Sequence, residues 1–143
     1  MTSHRPGLAI DGRSLLGRDR TRSRWGIVVA VALFVLSYVL WRFPRLSEAA
    51  YDLGVDVIVG GFVLAFASAA LYAYANEGIV GCWLLVSLPV LGATLNRVGV
   101  GLTSATPLEL YGLAVAIAVL AGVALGTAGF LFGTGLRRLV AGR

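Results

Sequence analysis

Long apolar segments alternate with short polar connections along most of this chain. Four of the segments are long enough to cross a membrane, and their predicted bounds are 25–41, 51–75, 79–98 and 108–136. At a rise of about 1.5 Å per residue, even the shortest reaches about 25 Å, near the lower limit for crossing the hydrocarbon core of a bilayer. The pattern therefore predicts an all-α protein, with a bundle of four transmembrane helices over residues 25–140.

Composition supports an integral membrane protein. Of the 143 residues, 58% are hydrophobic and 13% are charged, and the mean hydropathy is +0.86. A soluble domain is nearer half apolar and a quarter charged. The net charge of +5 could indicate nucleic-acid binding, but the basic residues cluster towards the two ends of the chain, outside the apolar segments. We therefore expect a lipid bilayer, and no nucleic acid, as the surroundings of this chain.

The arginines also predict an orientation. The tail over residues 1–24 has six of them, and three more follow the last apolar segment, the final one within residues 141–143. The opposite side would hold Arg42, Arg45 and Arg97. Because basic residues favour the cytoplasmic side, we expect a multi-pass protein of the cell membrane with both termini in the cytoplasm.

The first apolar segment has two interpretations, a cleaved signal peptide or a permanent anchor. Trp25 and Trp41 flank it as interfacial anchors do. It is longer than the apolar region of a signal peptide, which is about 7–15 residues, and Arg42 and Arg45 precede the small residues that could be cleaved. An uncleaved anchor is the better fit.

The fourth segment is unusually rich in glycine. In water each glycine inside a helix costs about 0.5–1 kcal/mol relative to alanine, but in a membrane small residues let helix backbones approach closely. On a helix, one face holds Gly122, Gly126, Gly129 and Gly133, and the second segment has a comparable row of Gly61, Ala65 and Ala69. We expect these two helices to cross closely and in parallel; self-association through one of the rows is the alternative.

Four charged residues lie near the expected outer boundary of the membrane: Asp52, Asp56, Arg97 and Glu109. An unpaired charge within the hydrocarbon costs about 2.5–3.5 kcal/mol or more, so these groups should pair or extend to the interface. Their matched depth makes Asp56 and Arg97 the expected ion pair. A structural role is the first interpretation; a transport path that also uses Ser87 and Thr94 is the second.

Pro89 lies inside the third segment. Proline has no N–H to donate and clashes with the preceding turn, which predicts a kink and a free carbonyl at Leu85. Most such prolines shape packing, and a moving hinge is the alternative.

No motif indicates catalysis. The chain lacks HExxH, GxSxG and CxxC patterns, and its one histidine, His4, and one cysteine, Cys82, lie far apart in sequence. We expect no enzyme activity, no cofactor and no metal. The first hypothesis is a structural, accessory or assembly subunit that contacts a membrane-protein partner; the alternative is a small oligomeric transporter or channel.

Overall fold

The computed structural model describes residues 15, 17, 19–52, 54, 56–97 and 106–141, apart from the side chains of residues 47, 50 and 97. All regular structure in these ranges is helical. The helices are α1 (Arg20–Arg42), α2 (Pro44–Asp52), α3 (Val57–Asn76), α4 (Ile79–Arg97) and α5 (Pro107–Ala141). Except for α2, each is long and apolar enough to span a membrane. The predicted all-α bundle with four membrane helices is confirmed.

The first membrane helix begins earlier than the prediction at residue 25. The side chain of Asp19 accepts a hydrogen bond from the backbone N–H of Thr21 at 2.8 Å, which satisfies one of the donors that a helix N-terminus leaves free. Helix α1 therefore starts at Arg20 and includes the last arginines of the predicted tail. In the rest of that tail, residues 1–14, 16 and 18 lie outside the described residues.

The predicted segment 51–75 was wrong at its start. Tyr51 and Asp52 end the short helix α2, and the chain then turns at Gly54, whose φ of 74° is a left-handed value that glycine adopts freely. Asp56 caps a new helix that starts at Val57. Two separate helices replace one long one because the Gly54 turn and the Asp56 cap interrupt the apolar pattern.

Helix α4 lies at the centre of the bundle. It packs along both α1 and α5, while α3 packs mainly on α5 and α4. Consecutive membrane helices are antiparallel, so α3 and α5 run in the same direction. We call the end that contains Asp19, Asn76 and Arg137 the tail end, and the end that contains Arg42, Asp56 and Pro107 the far end.

Most of the interior of the bundle is built from small residues, with Leu85 and Val86 as larger exceptions, and most of the large apolar residues face outwards. The buried cluster comprises Ala65, Ala69, Ala73, Cys82 and Val86, whereas leucines such as Leu71, Leu120 and Leu131 are each more than 60% exposed. This arrangement is the reverse of a soluble bundle. It is typical of helices that pack closely with one another and expose their large side chains to lipid.

Candidate functional site

The four charged residues predicted to form a far-end cluster lie at helix ends, two at the start of a helix and two at the end of one. The side chain of Asp56 accepts hydrogen bonds from the backbone N–H groups of Ile58 at 2.9 Å and Val59 at 3.1 Å. This is an N-cap, which satisfies two free donors of α3 and places a negative charge at the positive end of the helix dipole. Asp56 therefore lies just before the apolar helix and not one turn inside it.

Glu109 makes a similar contact at the start of α5. Its Oε2 accepts the backbone N–H of Thr106 at 2.7 Å and the Thr106 hydroxyl at 3.0 Å. With Pro107 in the first helical position, this is a capping box. Asp52 is the exposed last residue of α2. Arg97 ends α4, but its side chain lies outside the described residues, so the predicted pair with Asp56 stays a prediction.

The transport hypothesis placed Ser87 and Thr94 along a path. In the structure, Thr94 bonds to carbonyls of its own helix, α4, and Ser87 packs against α5. The hydroxyl of Thr94 donates to carbonyls of its own helix, Val90 at 2.9 Å and Leu91 at 3.1 Å. Ser87 lies directly against Gly122 of α5, so closely that any side chain at residue 122 would collide with its hydroxyl. Both residues are therefore engaged in helix packing or in local hydrogen bonds.

The glycine row on α5 divides between two neighbouring helices. Gly122 and Gly126 lie against α4, where a Cβ at Gly126 would come within 2.9 Å of the Cys82 carbonyl oxygen. Gly129 and Gly133 lie against α3, where a Cβ at Gly133 would collide with the Ala70 carbonyl oxygen. The predicted α3–α5 crossing thus occupies one half of the row, and α4 takes the other.

The matching row on α3 is also divided. Ala65 and Ala69 are buried, with 3% and 0% of their surface exposed. Gly61 differs from the prediction, because it is exposed and a Cβ added there would meet nothing within 4 Å. The contacts of Gly129 and Gly133 with α3 lie nearer the tail end, at Ala69 and Ala70, so no close packing among the described residues requires a glycine at residue 61.

Gly61 instead lines an apolar groove at the far end, which we call the far-end groove. It has a volume of about 270 Å³ and lies between α1, α3 and α4. Its walls include Leu36, Ser37, Trp41, Gly61, Ala65 and Pro89. Pro89 lies inside α4, which is helical throughout Ile79–Arg97. Apart from the hydroxyl of Ser37 and the indole N–H of Trp41, the side chains that line this groove are apolar.

The tail end holds a polar network that the sequence reasoning missed. The fully buried Asn76 accepts the backbone N–H of Asp19 at 2.8 Å and donates to the hydroxyls of Ser23 at 3.0 Å and Tyr72 at 2.9 Å. Its amide is therefore satisfied on both sides, as burial requires. The spacing of four between Tyr72 and Asn76 was the available signal, since it places them on one helix face.

Tyr72 is held between two glycines from different helices. A Cβ at Gly26 of α1 would come within 2.6 Å of the tyrosine ring, and one at Gly81 of α4 would collide with it. The absence of side chains at these two positions lets the ring pass between the helices and brings its hydroxyl to Asn76. Tyr72 is thus half-buried and packs against the buried cluster of the bundle.

Ionic and backbone contacts complete the tail end. Arg137 of α5 forms an ion pair with Glu77 at 2.8 Å, and the guanidinium of Arg22 donates to the Ala75 carbonyl at 2.7 Å. Together with Asn76, these contacts join the start of α1 to the end of α3, and the end of α3 to the last part of α5. Within the described residues, no buried side-chain nitrogen or oxygen lacks a hydrogen-bond partner.

The fold and these sites define a polytopic α-helical membrane protein whose polar residues stabilise helix ends. The chain belongs to the family described as a domain of unknown function (DUF8071), whose profile matches residues 55–142. The matched region contains α3, α4 and α5, and α1 packs on it through α4. Comparison with curated proteins and with solved structures found no match.

Proposed function

We propose that this chain is a non-catalytic, multi-pass protein of the cell membrane that acts as a structural, accessory or assembly subunit. The observation that supports this most is the placement of the polar side chains. In the far half, Asp56 and Glu109 cap helices and Thr94 bonds to its own helix, while the groove beside them is apolar. A transport path needs polar groups that face a hydrated cavity. The described residues form a packed scaffold instead.

The outer surface of the bundle is consistent with contacts to another membrane protein. Small exposed residues on α5, such as Ala116, Ala124 and Ala128, lie on the side away from α4. Small residues on a lipid-facing surface allow a further helix to approach closely. A partner helix is therefore the kind of contact that this surface favours.

The orientation in this proposal follows from the positive-inside rule. The tail end contains Arg20, Arg22 and Arg24 at the start of α1, and Arg137 and Arg138 near the end of α5. The far end has fewer arginines, so the tail end is placed in the cytoplasm. Single cysteines test this directly: in intact cells, an impermeant maleimide should label Glu48→Cys and not Ala141→Cys. Both positions are exposed, and the native Cys82 is buried.

Purification from the native membrane tests the subunit role. A tagged chain is extracted in mild detergent, co-eluting proteins are identified by mass spectrometry, and particle mass is measured by light scattering. We expect an unrelated membrane protein in a fixed ratio that is absent from a matched purification of another tagged membrane protein. A homo-oligomer without a partner that conducts ions or solutes in liposomes would contradict the proposal and support a transporter.

A further inference from the structure

We propose that the far-end groove binds one acyl chain of an anionic phospholipid, with the lipid phosphate held at Arg42 and Arg45. The groove is apolar and lies at one end of a membrane bundle, so its natural contacts are hydrocarbon. Its volume of about 270 Å³ exceeds that of an apolar protein cavity of roughly 150 Å³ that already accepts benzene. A stretch of acyl chain therefore has room between the helices.

The shape of the groove favours a lipid chain over a protein helix. On α3 its wall runs from Val57 to Ala65, which is about 12 Å along the helix. Towards the tail end the groove closes, because Tyr72 of α3 packs against Gly26 of α1. A partner helix would have to cross the whole bilayer, about 30 Å of hydrocarbon, and the closed end leaves it no continuous surface between α1 and α3. A chain that descends from one leaflet needs only the open half.

Two arginines that follow the groove-lining part of α1 in the sequence carry the charge that an anionic headgroup needs. Trp41 lines the groove, Arg42 follows it directly, and Arg45 lies in the first turn of α2. Both arginines are exposed, and neither forms an ion pair with another residue in the described part of the chain. Arginine binds phosphate through paired N–H groups, and tryptophan prefers the headgroup level.

The acidic residues near these arginines do not cancel this preference. The carboxylate of Asp56 accepts two backbone N–H groups at the start of α3. Glu48 lies about one helical turn from Arg45 on α2, so their side chains are neighbours, but the two do not form an ion pair; Asp52 lies a further turn away. Arg42 and Arg45 are thus the first charged residues after the part of α1 that lines the groove. We place the lipid phosphate beside these two arginines.

Gly61 provides a direct test. A leucine there would fill the groove, and because a Cβ at residue 61 meets nothing within 4 Å, the change should not disturb the fold. Gly112 of α5 is the matched control, since it is equally open and lies outside the groove. Thermal unfolding of Gly61→Leu and Gly112→Leu should agree, which separates loss of binding from loss of structure.

Bound lipid is measured by native mass spectrometry after reconstitution in vesicles that contain equal amounts of phosphatidylglycerol and phosphatidylethanolamine. We expect one retained phosphatidylglycerol per wild-type chain, the same for Gly112→Leu, and about tenfold less for Gly61→Leu, equivalent to ~1.4 kcal/mol. The double variant Arg42→Gln/Arg45→Gln should retain lipid without preference for the anionic headgroup.

Three results would overturn the proposal. Equal lipid retention by Gly61→Leu and wild type would show that the groove does not hold the chain. Equal retention of phosphatidylglycerol and phosphatidylethanolamine by the wild type would show that Arg42 and Arg45 do not select the anionic headgroup. A fall in particle mass on Gly61→Leu, with no change in bound lipid, would show that the groove is an interface between copies of this chain.

Discussion

The backbone N–H of Asp19 donates to the side-chain oxygen of Asn76 at 2.8 Å, across 57 positions of sequence. The bond joins the start of α1 to the end of α3, and the remaining hydrogens of the Asn76 amide go to Ser23 and Tyr72. Gly17, with a φ of 92°, lies against the same side chain. A single buried amide therefore fixes the chain that leads into the first membrane helix.

Replacing Asn76 with alanine should lower the free energy of unfolding by about 1–3 kcal/mol, because the part-buried N–H of Asp19 and the hydroxyls of Ser23 and Tyr72 lose their partner. The free energy is measured by titration of the detergent-solubilised protein with sodium dodecyl sulphate. Asn96→Ala is the control: Asn96 bonds to the carbonyls of Tyr38 and Gly92 at 3.2 Å and is only partly buried. An equal loss of unfolding free energy for the two variants would show that the Asn76 network stabilises the fold no more than the partly buried bonds of Asn96.

Gly81→Ala should destabilise the bundle by about 1–3 kcal/mol, since a methyl group there overlaps the ring of Tyr72. In a Tyr72→Leu background the same change should cost much less, because the ring is gone. A double-mutant cycle on unfolding free energies measures the coupling. If the two losses simply add, the ring does not fix the spacing of α3 and α4.

Alanine substitutions along α5 should show a graded effect. Gly133→Ala should cost most, because its Cβ meets the backbone of α3; Gly129→Ala should cost less, because its closest contact is the Ala69 Cβ at 3.0 Å. Gly112→Ala, in open space, should be neutral or stabilise by about 0.4–1 kcal/mol. Thermal unfolding orders the three variants. A large loss at Gly112 would mean that its exposed face has a partner.

Asp56 distinguishes capping from an ion pair. If its main role is to cap α3, Asp56→Asn should keep most of the stability, whereas Asp56→Ala should lose about 0.5–2 kcal/mol. If the predicted pair with Arg97 dominates, asparagine should be as harmful as alanine, and Arg97→Ala should cause the same loss. Unfolding free energies of the three variants, measured at low and high salt, decide between these roles.

The sequence predicted the membrane helices well because lipid imposes long uncharged segments. It placed the start of α3 wrongly, since an apolar run does not show that Gly54 turns and Asp56 begins a new helix. It missed the role of Tyr72, because the two glycines that hold the ring come from other helices. The periodicity of one helix shows which residues share a face, but not which neighbour that face meets. For the same reason, the groove beside Gly61 was not visible in the sequence.

Cys82 is fully buried, and its thiol donates to the carbonyl oxygens of Ala69 at 3.4 Å and Gly78 at 3.3 Å. It is the only cysteine of the chain, and it sits where α3, α4 and α5 meet. A small alkylating reagent can reach this sulphur only when those helices separate. The rate at which a reagent modifies the Cys82 thiol therefore measures how often the centre of the bundle opens.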